Sequence, residues 1–260
     1  MKKITLAALT LCILISGSLA QGTSKKKMLL LWQGPDGHPP QAHEYEAGQK
    51  ILLKFLDKMP ELDVVLVRAD EPWRAGPEIL AKADGVVLFL AEGAKWTQQD
   101  SQRAAALGAL AKRGGGIAIL HWAMGTREAK NIEPFLQLAG GCHGGPDRKY
   151  KIVSTNVHVA DPKHPVTHGL KDFKVHDEFY YRLKFIKAKE GLTPLLQADI
   201  DGQAETVAWA WQRPGGGRSF GFSGLHFHEN WGVPEYRRLI VQGVVWSMGG
   251  VIPVEGFNLP

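Results

Sequence analysis

Short apolar runs and helical periodicities alternate through the first half of the chain. Met28 to Trp32, Gly85 to Leu90 and Gly116 to Leu120 are continuously apolar, and Leu62 to Val67 is apolar but for Asp63. That is the pattern of strands covered on both faces. Between the first two, Gly48, Ile51, Leu52, Phe55, Leu56 and Met59 recur three or four apart, as one buried face of a helix does. Thr97 with Asp100 three residues on reads as a capping-box-like start to a further helix through Ala104, Leu107, Leu110 and Ala111, ended by the glycines from Gly114 to Gly116. This alternation predicts βα units around a mainly parallel sheet. The first four strands should be neighbours with helices on both faces, and His121 should sit at the carboxyl end of its strand.

The second half is richer in strands. Tyr150 to Val159, Phe179 to Phe185, Thr193 to Ala198, Thr206 to Trp211 and Arg218 to Ser223 are the candidates, and Pro234 to Met248 reads as a closing amphipathic helix with Leu239, Ile240, Val244 and Met248 inward. Long loops run from Gly34 to His43, Gly140 to Lys149 and Ala160 to Gly169. In an open α/β sheet the ligand crevice lies beyond the carboxyl ends of the strands, so residues just after a predicted strand become candidates.

The amino terminus changes the picture of compartment. Lys2 and Lys3 precede an apolar stretch from Ile4 to Ile15, and Ser18-Leu19-Ala20 follows. These are the parts of a secretory signal peptide over residues 1–20, with cleavage expected after Ala20. The apolar run is too short to span a bilayer, and no later stretch is long enough, so a secreted or periplasmic protein without a membrane span is expected. Residues 21–27 read as a flexible leader and 28–260 as a single domain. Removal of Lys2 and Lys3 from 31 basic residues leaves 29 against 26 acidic ones, which gives no reason to expect nucleic acid as a partner. Oligomeric state is left open. Of the two cysteines, Cys12 lies in the signal peptide, so Cys142 can form no internal disulfide; it is either a small buried hydrophobe or a free thiol.

Histidine is the compositional anomaly, with ten in the chain. His38 and His43 follow the first strand, His121 the fourth, and His226 and His228 the last; His143 lies in a glycine-rich loop. His176-Asp177-Glu178 precedes Phe179-Tyr180-Tyr181, and strand alternation sends His176 and Glu178 to one face and Asp177 to the other. Imidazole with carboxylate suits general acid/base work and a zinc-type metal site equally, while a salt-bridged loop against Arg182 or Lys184 is the structural alternative. His226-Phe227-His228-Glu229-Asn230-Trp231 combines imidazole, carboxylate, amide and indole, as a sugar site tends to: polar groups for hydroxyls and an aromatic plate for the ring. Trp231 and Trp122 serve equally well as core cover.

Five stretches, in order, resemble successive blocks of the ThuA-like (trehalose utilisation) family: GPDGHPPQAHEYEAGQKIL (Gly34 to Leu52), GGGIAILHWA (Gly114 to Ala123), HPVTHGLKDFKVHDEFYY (His164 to Tyr181), ETVAWAW (Glu205 to Trp211) and FGFSGLHFHENW (Phe220 to Trp231). The resemblance implies a class I glutamine amidotransferase-like fold, a flavodoxin-like three-layer α/β/α sandwich. It matches the family's recurrent polar positions to His43, His121, the pair Asp177 and Glu178, and His226. In the amidotransferases the turn after the corresponding strand carries a nucleophilic cysteine. Here that turn holds His121 and Trp122, and Cys142 lies about twenty residues later, so glutamine hydrolysis has no nucleophile. The segment from Gly140 to Lys149 departs from the family's bulkier version, which leaves His143 without an implied role.

The reading that follows is an enzyme of isomerase, lyase or hydrolase type acting on a disaccharide or keto-sugar. His121, Asp177, Glu178 and His226 are its candidate catalytic groups. His43, Trp122, Tyr180, His228 and Trp231 are its candidate substrate contacts, and His121, Glu178 and His226 its candidate ligands for a divalent, zinc-like metal. No nucleotide or flavin is expected. The alternative from another class is a non-catalytic periplasmic carbohydrate-binding protein.

Overall fold

The computed structural model describes residues 24–259, so the expected signal peptide lies outside the described residues. Strands β1 (Lys26–Trp32), β2 (Leu62–Arg68), β3 (Gly85–Phe89) and β4 (Gly116–Leu120) alternate with helices α1 (Tyr45–Leu56), α2 (Gly76–Ala81), α3 (Gly93–Gln99) and α4 (Ser101–Lys112). Short strands β5 (Gly125–Thr126) and β6 (Gly141–Gly144) flank α5 (Ile132–Ala139). Long strands β7 (Lys149–Val159) and β8 (Phe173–Tyr181), the two-residue β9 (Lys184–Phe185), then β10 (Leu192–Ile200), β11 (Gln203–Gln212) and β12 (Arg218–Phe222) precede the closing helix α6 (Pro234–Ser247).

One nine-stranded sheet runs in the order β2-β1-β3-β4-β12-β11-β10-β7-β8, and β5, β6 and β9 form a small separate one. Pairing from β2 through β12 is parallel and from β12 to β8 antiparallel. The first four strands are therefore parallel neighbours, as the continuous apolar runs predict. Every residue of β3 and β4 is buried. Alternate residues of β1 feed two apolar clusters: Met28 and Leu30 pack with Leu52 of α1 and Leu239 of α6, and Leu29 and Leu31 with Leu80 of α2 and Leu107 of α4. No helix among the described residues is long and apolar enough to cross a membrane.

Four local expectations are corrected. Thr97 and Asp100 do not open a helix together: Thr97 is buried within α3, and Asp100 caps α4 by accepting from the amides of Gln102 and Arg103 at 2.8 and 3.0 Å. The strand expected from Phe179 begins at Phe173, so His176-Asp177-Glu178 lies inside β8 rather than before it. β1 starts at Lys26, which takes Lys26 and Lys27 out of the leader; Lys26 Nζ donates to the Met248 carbonyl at 2.7 Å. Within the glycine-rich loop, Gly141 to Gly144 pairs with both β5 and β9 as β6.

The topology places four chain segments at one sheet edge. β1, β4 and β12 are parallel and end there together. The loop after β1 is tied to the loop after β12 by an isolated antiparallel bridge between Ala42 and Phe227, with His43 N donating to the His226 carbonyl at 3.0 Å. β8, four places from β12 in the sheet, returns to the same edge, where Asp177 accepts from the Leu225 amide at 2.7 Å.

Candidate functional site

His121 is the first residue beyond β4 and opens a 3₁₀ turn through Met124. Its φ is +48°, that of His43 is +54° and that of Leu225 is +78°. Residues carrying a Cβ enter this region at a cost that the surrounding structure must offset, and such residues cluster at functional sites. A Cβ at Gly93 would lie 2.1 Å from the Ala123 carbonyl oxygen, so α3 can begin against this turn only with glycine there.

His43, His121, Glu178 and His226 are all buried and converge: one ligand atom from each lies within 4.8 Å of every other. His43 Nε2 stands 3.0 Å from His121 Nε2, which is 3.3 Å from His226 Nδ1. Glu178 Oε1 lies farther out, 3.5 Å from His226 Nδ1 and 3.9 Å from His121 Nε2. Partners fix the tautomers of two rings. His43 Nδ1 faces the Asp36 carboxylate at 2.8 Å, and His121 Nδ1 faces the Ser223 carbonyl at 2.8 Å. Both acceptors need a proton on the facing nitrogen, so both Nε2 atoms present lone pairs to one another.

Electrostatics keep these rings neutral. Burial first, then the neighbouring His43 and His226, holds His121 well below the usual imidazole range. Burial lowers His43 despite Asp36, and burial followed by His43 and His38 lowers His226 to about 4. Burial opposes ionisation of Asp36, yet hydrogen bonds from His43, Tyr45 and His38 outweigh it and keep this carboxyl below its ordinary range. Glu178 is pushed up to about 7 by burial and then by Asp177.

Tyr180 completes the group. Its hydroxyl donates to His121 Nε2 at 3.0 Å, and its ring is sandwiched between His121 (centroids 4.5 Å apart) and His143 (4.0 Å, planes 6° apart). Burial, then Glu178, raises the phenol well above its usual range, which keeps it a proton donor. A pocket of about 120 Å³ opens over the cluster, bordered by His43, Glu178, Tyr180, Trp122, His143 and Arg148 among others. A recess of about 290 Å³ lined by the first loop shares His38 and His43, but Glu178, Tyr180 and Trp122 do not border it.

Three sequence candidates stand outside this group. Asp177 points to the opposite face of β8, where its carboxylate accepts from the amides of Glu178, Leu225 and Phe227 and from the Tyr236 hydroxyl. Trp231 is buried against Gly48 and Phe89 in the core. His228 lies outside the cluster, its Nδ1 buried without a hydrogen-bond partner among the described residues. Cys142 is buried in β6, and burial raises its thiol to about 12, which makes it an inert hydrophobe. Asp36 and Tyr45 were not picked out from sequence, although a carboxylate in the same loop as two histidines is a readable sign of an oriented imidazole.

The donor set suits a cation. Four ligands about 2.0–2.1 Å from a tetrahedral zinc lie about 3.3 Å apart, and the histidine nitrogens here are 3.0 and 3.3 Å apart. A second group, Asp36, His38 and His43, shares His43 with the first.

Among solved structures, the chain is similar to a ThuA-like protein from Bacteroides uniformis (16% identity, TM-score 0.66, covering 88% of this chain and 96% of that one). It is also similar to a ThuA-like protein from Parabacteroides merdae (17% identity, TM-score 0.64, 88% and 92%). A β-galactosidase from Bacillus circulans shares the fold over 86% of this chain and 30% of its own, at 9% identity and TM-score 0.51. No curated protein matches the sequence. The family model described as trehalose utilisation matches residues 28–247, and the chain belongs to this ThuA family.

Proposed function

We propose that the protein is an exported enzyme of carbohydrate utilisation that acts on a keto-sugar derivative. In this reading His43, His121 and His226 hold a divalent metal, and Glu178 is the proton-transfer group. The observation that carries it is the convergence of three buried imidazole nitrogens, His121 Nε2 standing 3.0 Å from His43 Nε2 and 3.3 Å from His226 Nδ1. A cation would satisfy all three nitrogens at once, which the single Tyr180 proton does not, and three histidines would leave room for a further ligand. When bound, the metal supplies polarisation of a carbonyl or hydroxyl oxygen.

Glu178 borders the pocket and makes no side-chain hydrogen bond among the described residues, so its carboxylate is free to face a substrate. A carboxylate here can take the proton from a hydroxyl-bearing carbon beside a carbonyl and, once the hydroxyl proton has passed to the carbonyl oxygen, return it to the former carbonyl carbon, as isomerisation requires. With His121 Nε2 on the metal, the Tyr180 hydroxyl, which stays protonated, would be released to donate to a substrate oxygen. Trp122 and His143 form an aromatic wall that excludes water from one side. Family membership supports a carbohydrate as the substrate, and the basic and apolar segments within residues 1–20 support export.

The test is to incubate the purified protein with 3-keto-trehalose and 3-keto-glucose in deuterium oxide and follow exchange at the carbons next to the carbonyl by NMR. Exchange or conversion that is lost in Glu178→Gln is expected. Affinity for these sugars without exchange or turnover would reassign the site to binding alone.

A further inference from the structure

The end of the sheet opposite the histidine cluster holds a separate recess of about 330 Å³, over the turn that joins β11 to β12. β12 enters from this turn and leaves toward His226, so the two hollows lie at opposite ends of one strand. Ala111, Ile186, Ala188, Trp211 and Pro214 give the recess mainly apolar walls. Two cations border it, the exposed Lys112 and the buried Arg213, and no carboxylate does among the described residues.

Arg213 is the unusual member. Only 5% of it is exposed. Its Nη1 donates to Ser219 Oγ at 2.6 Å and its Nη2 to the Gly115 carbonyl, while Nε is buried with no partner among the described residues. A Cβ at Gly217 would collide with Nη2, so the turn lies over the guanidinium only with glycine there. Burial alone lowers the group, to about 10, with no acid acting in the other direction, and it stays charged at neutral pH. A buried charge is normally paired, because its desolvation is otherwise uncompensated. Two helix ends offset part of that cost: Gly115 follows α4, and Ser219 Oγ passes the contact on to the Leu138 carbonyl of α5 at 2.6 Å. Each such end carries about half a negative charge, and α4 already has Lys112 in its last turn and Arg113 just beyond it. Positive charge is therefore in excess around an apolar hollow.

We propose that this recess binds a small organic anion, a carboxylate carried on a flat apolar body of one or two rings, with the carboxylate beside Arg213 and Lys112 and the rings against Trp211, Ile186 and Pro214. A carboxylate supplies the counter-charge that Arg213 lacks, and Nε is the donor left over for it. An indole edge beside proline and isoleucine matches a flat ring, and the small side chains of Ala111 and Ala188 leave it room. A volume of about 330 Å³ is in the range of small-molecule sites, which are mostly apolar with a few convergent polar groups. This site is independent of the carbohydrate reading of the histidine cluster.

The experiment titrates 2-naphthoate and its neutral isostere 2-naphthalenemethanol into the full chain, with affinities read by calorimetry and by ligand-observed NMR. The unaltered protein should bind the acid about tenfold or more tightly than the alcohol, as one charge-assisted pair provides. Arg213→Met should remove that preference, and Lys112→Gln should reduce it severalfold. Ala188→Trp adds bulk to the apolar wall with both cations kept, and should abolish binding of both compounds. Arg213→Met also loses two hydrogen bonds; if it fails to fold, the exposed Lys112→Gln and the comparison of acid with alcohol decide the matter. Equal affinity for acid and alcohol, a preference that survives in every folded cation variant, or unaltered binding in Ala188→Trp overturns the anion site. So does the absence of naphthoate binding at millimolar concentration.

Discussion

His43 Nε2 and His121 Nε2 face each other at 3.0 Å while the opposite nitrogen of each ring is engaged, by Asp36 and by the Ser223 carbonyl. The Tyr180 hydroxyl can donate to only one of these nitrogens at a time, whereas a cation would hold both. The purified protein should therefore carry one equivalent of a divalent metal by elemental analysis, and His121→Ala should carry none. Chelation should lower the melting temperature by about 5–10 °C, the shift expected when a ligand at about a hundred times its Kd is withdrawn from a domain of this size. An unmetallated protein whose melting point ignores both zinc and chelator would remove the metal from the proposal.

Asp36 orients His43 from behind and also accepts from Tyr45 Oη at 2.7 Å. Replacing it by Asn leaves a neutral group that can present its amide nitrogen to His43 Nδ1 and so invite the wrong tautomer. Asp36→Asn should weaken metal affinity about 10–100-fold, the usual loss when the partner of a ligating imidazole is removed. Competition with a chromophoric chelator measures it. Full affinity in this variant would mean that the loop backbone alone positions His43.

The parallel half of the sheet was legible because strands covered on both faces leave continuous apolar runs; the fourth matches the predicted Gly116 to Leu120 span. Histidines after those strands were legible for the same reason, since a parallel strand end has one place to go. What sequence could not supply was the route of β8. Periodicity separates Glu178 from Asp177 by face, but does not reveal that an edge strand four places from β12 returns to the His226 loop. Asp36 was hidden in a glycine- and proline-rich loop, where aspartate is commonly a turn former. His143 was hidden in a glycine-rich stretch whose pairing as β6 is set by tertiary contacts with β5 and β9.

Tyr180 Oη donates to His121 Nε2 and cannot readily lose its proton. Tyr180→Phe preserves the stack between His121 and His143 and removes only the donor. Turnover should fall about 10²-fold or more, the scale of one positioned acid/base group, with metal content unchanged. Wild-type turnover in this variant would confine Tyr180 to packing.

His164 accepts from the Val166 amide at 3.2 Å, and burial lowers its pKa to about 4. Its folded value thus lies below the unfolded value of 6.5. Above pH 6.5 neither state binds the proton, and between 6.5 and about 4 only the unfolded chain does, so stability falls as the pH drops through that window. Buried His143, lowered to about 3 by burial and then by Arg148 and Lys184, acts in the same direction. Melting temperatures of the chelator-treated protein should hold above pH 7 and decline from pH 6.5 to 4. His164→Asn keeps an acceptor for Val166 and should make that decline shallower. An identical slope in the variant would exclude His164 as a contributor.

Asp177 and Glu178 are chemically alike and adjacent, yet they face opposite sides of β8 and should fail in different ways. Asp177 is fully buried, and its two oxygens receive the amides of Glu178 (2.9 Å), Leu225 (2.7 Å) and Phe227 (3.3 Å) and the hydroxyl of Tyr236 (3.1 Å). Burial still raises it to about 6, so much of the benefit of those donors goes into offsetting desolvation. Asp177→Asn turns one acceptor into a donor that meets other donors, at a cost of about 2–4 kcal/mol. For a domain of this size that lowers the melting temperature by about 5–15 °C. Glu178 has no such partners, and Glu178→Gln removes an ionisable oxygen from the pocket at little cost to folding. Turnover should then be abolished in Glu178→Gln at a nearly unchanged melting point, while Asp177→Asn melts early and, below its melting temperature, loses less activity. Thermal unfolding and turnover of the two variants under one set of conditions decide it. The reverse pattern would place the reacting carboxylate at Asp177 and would mean that the β8 face assignment, on which the whole site depends, is inverted.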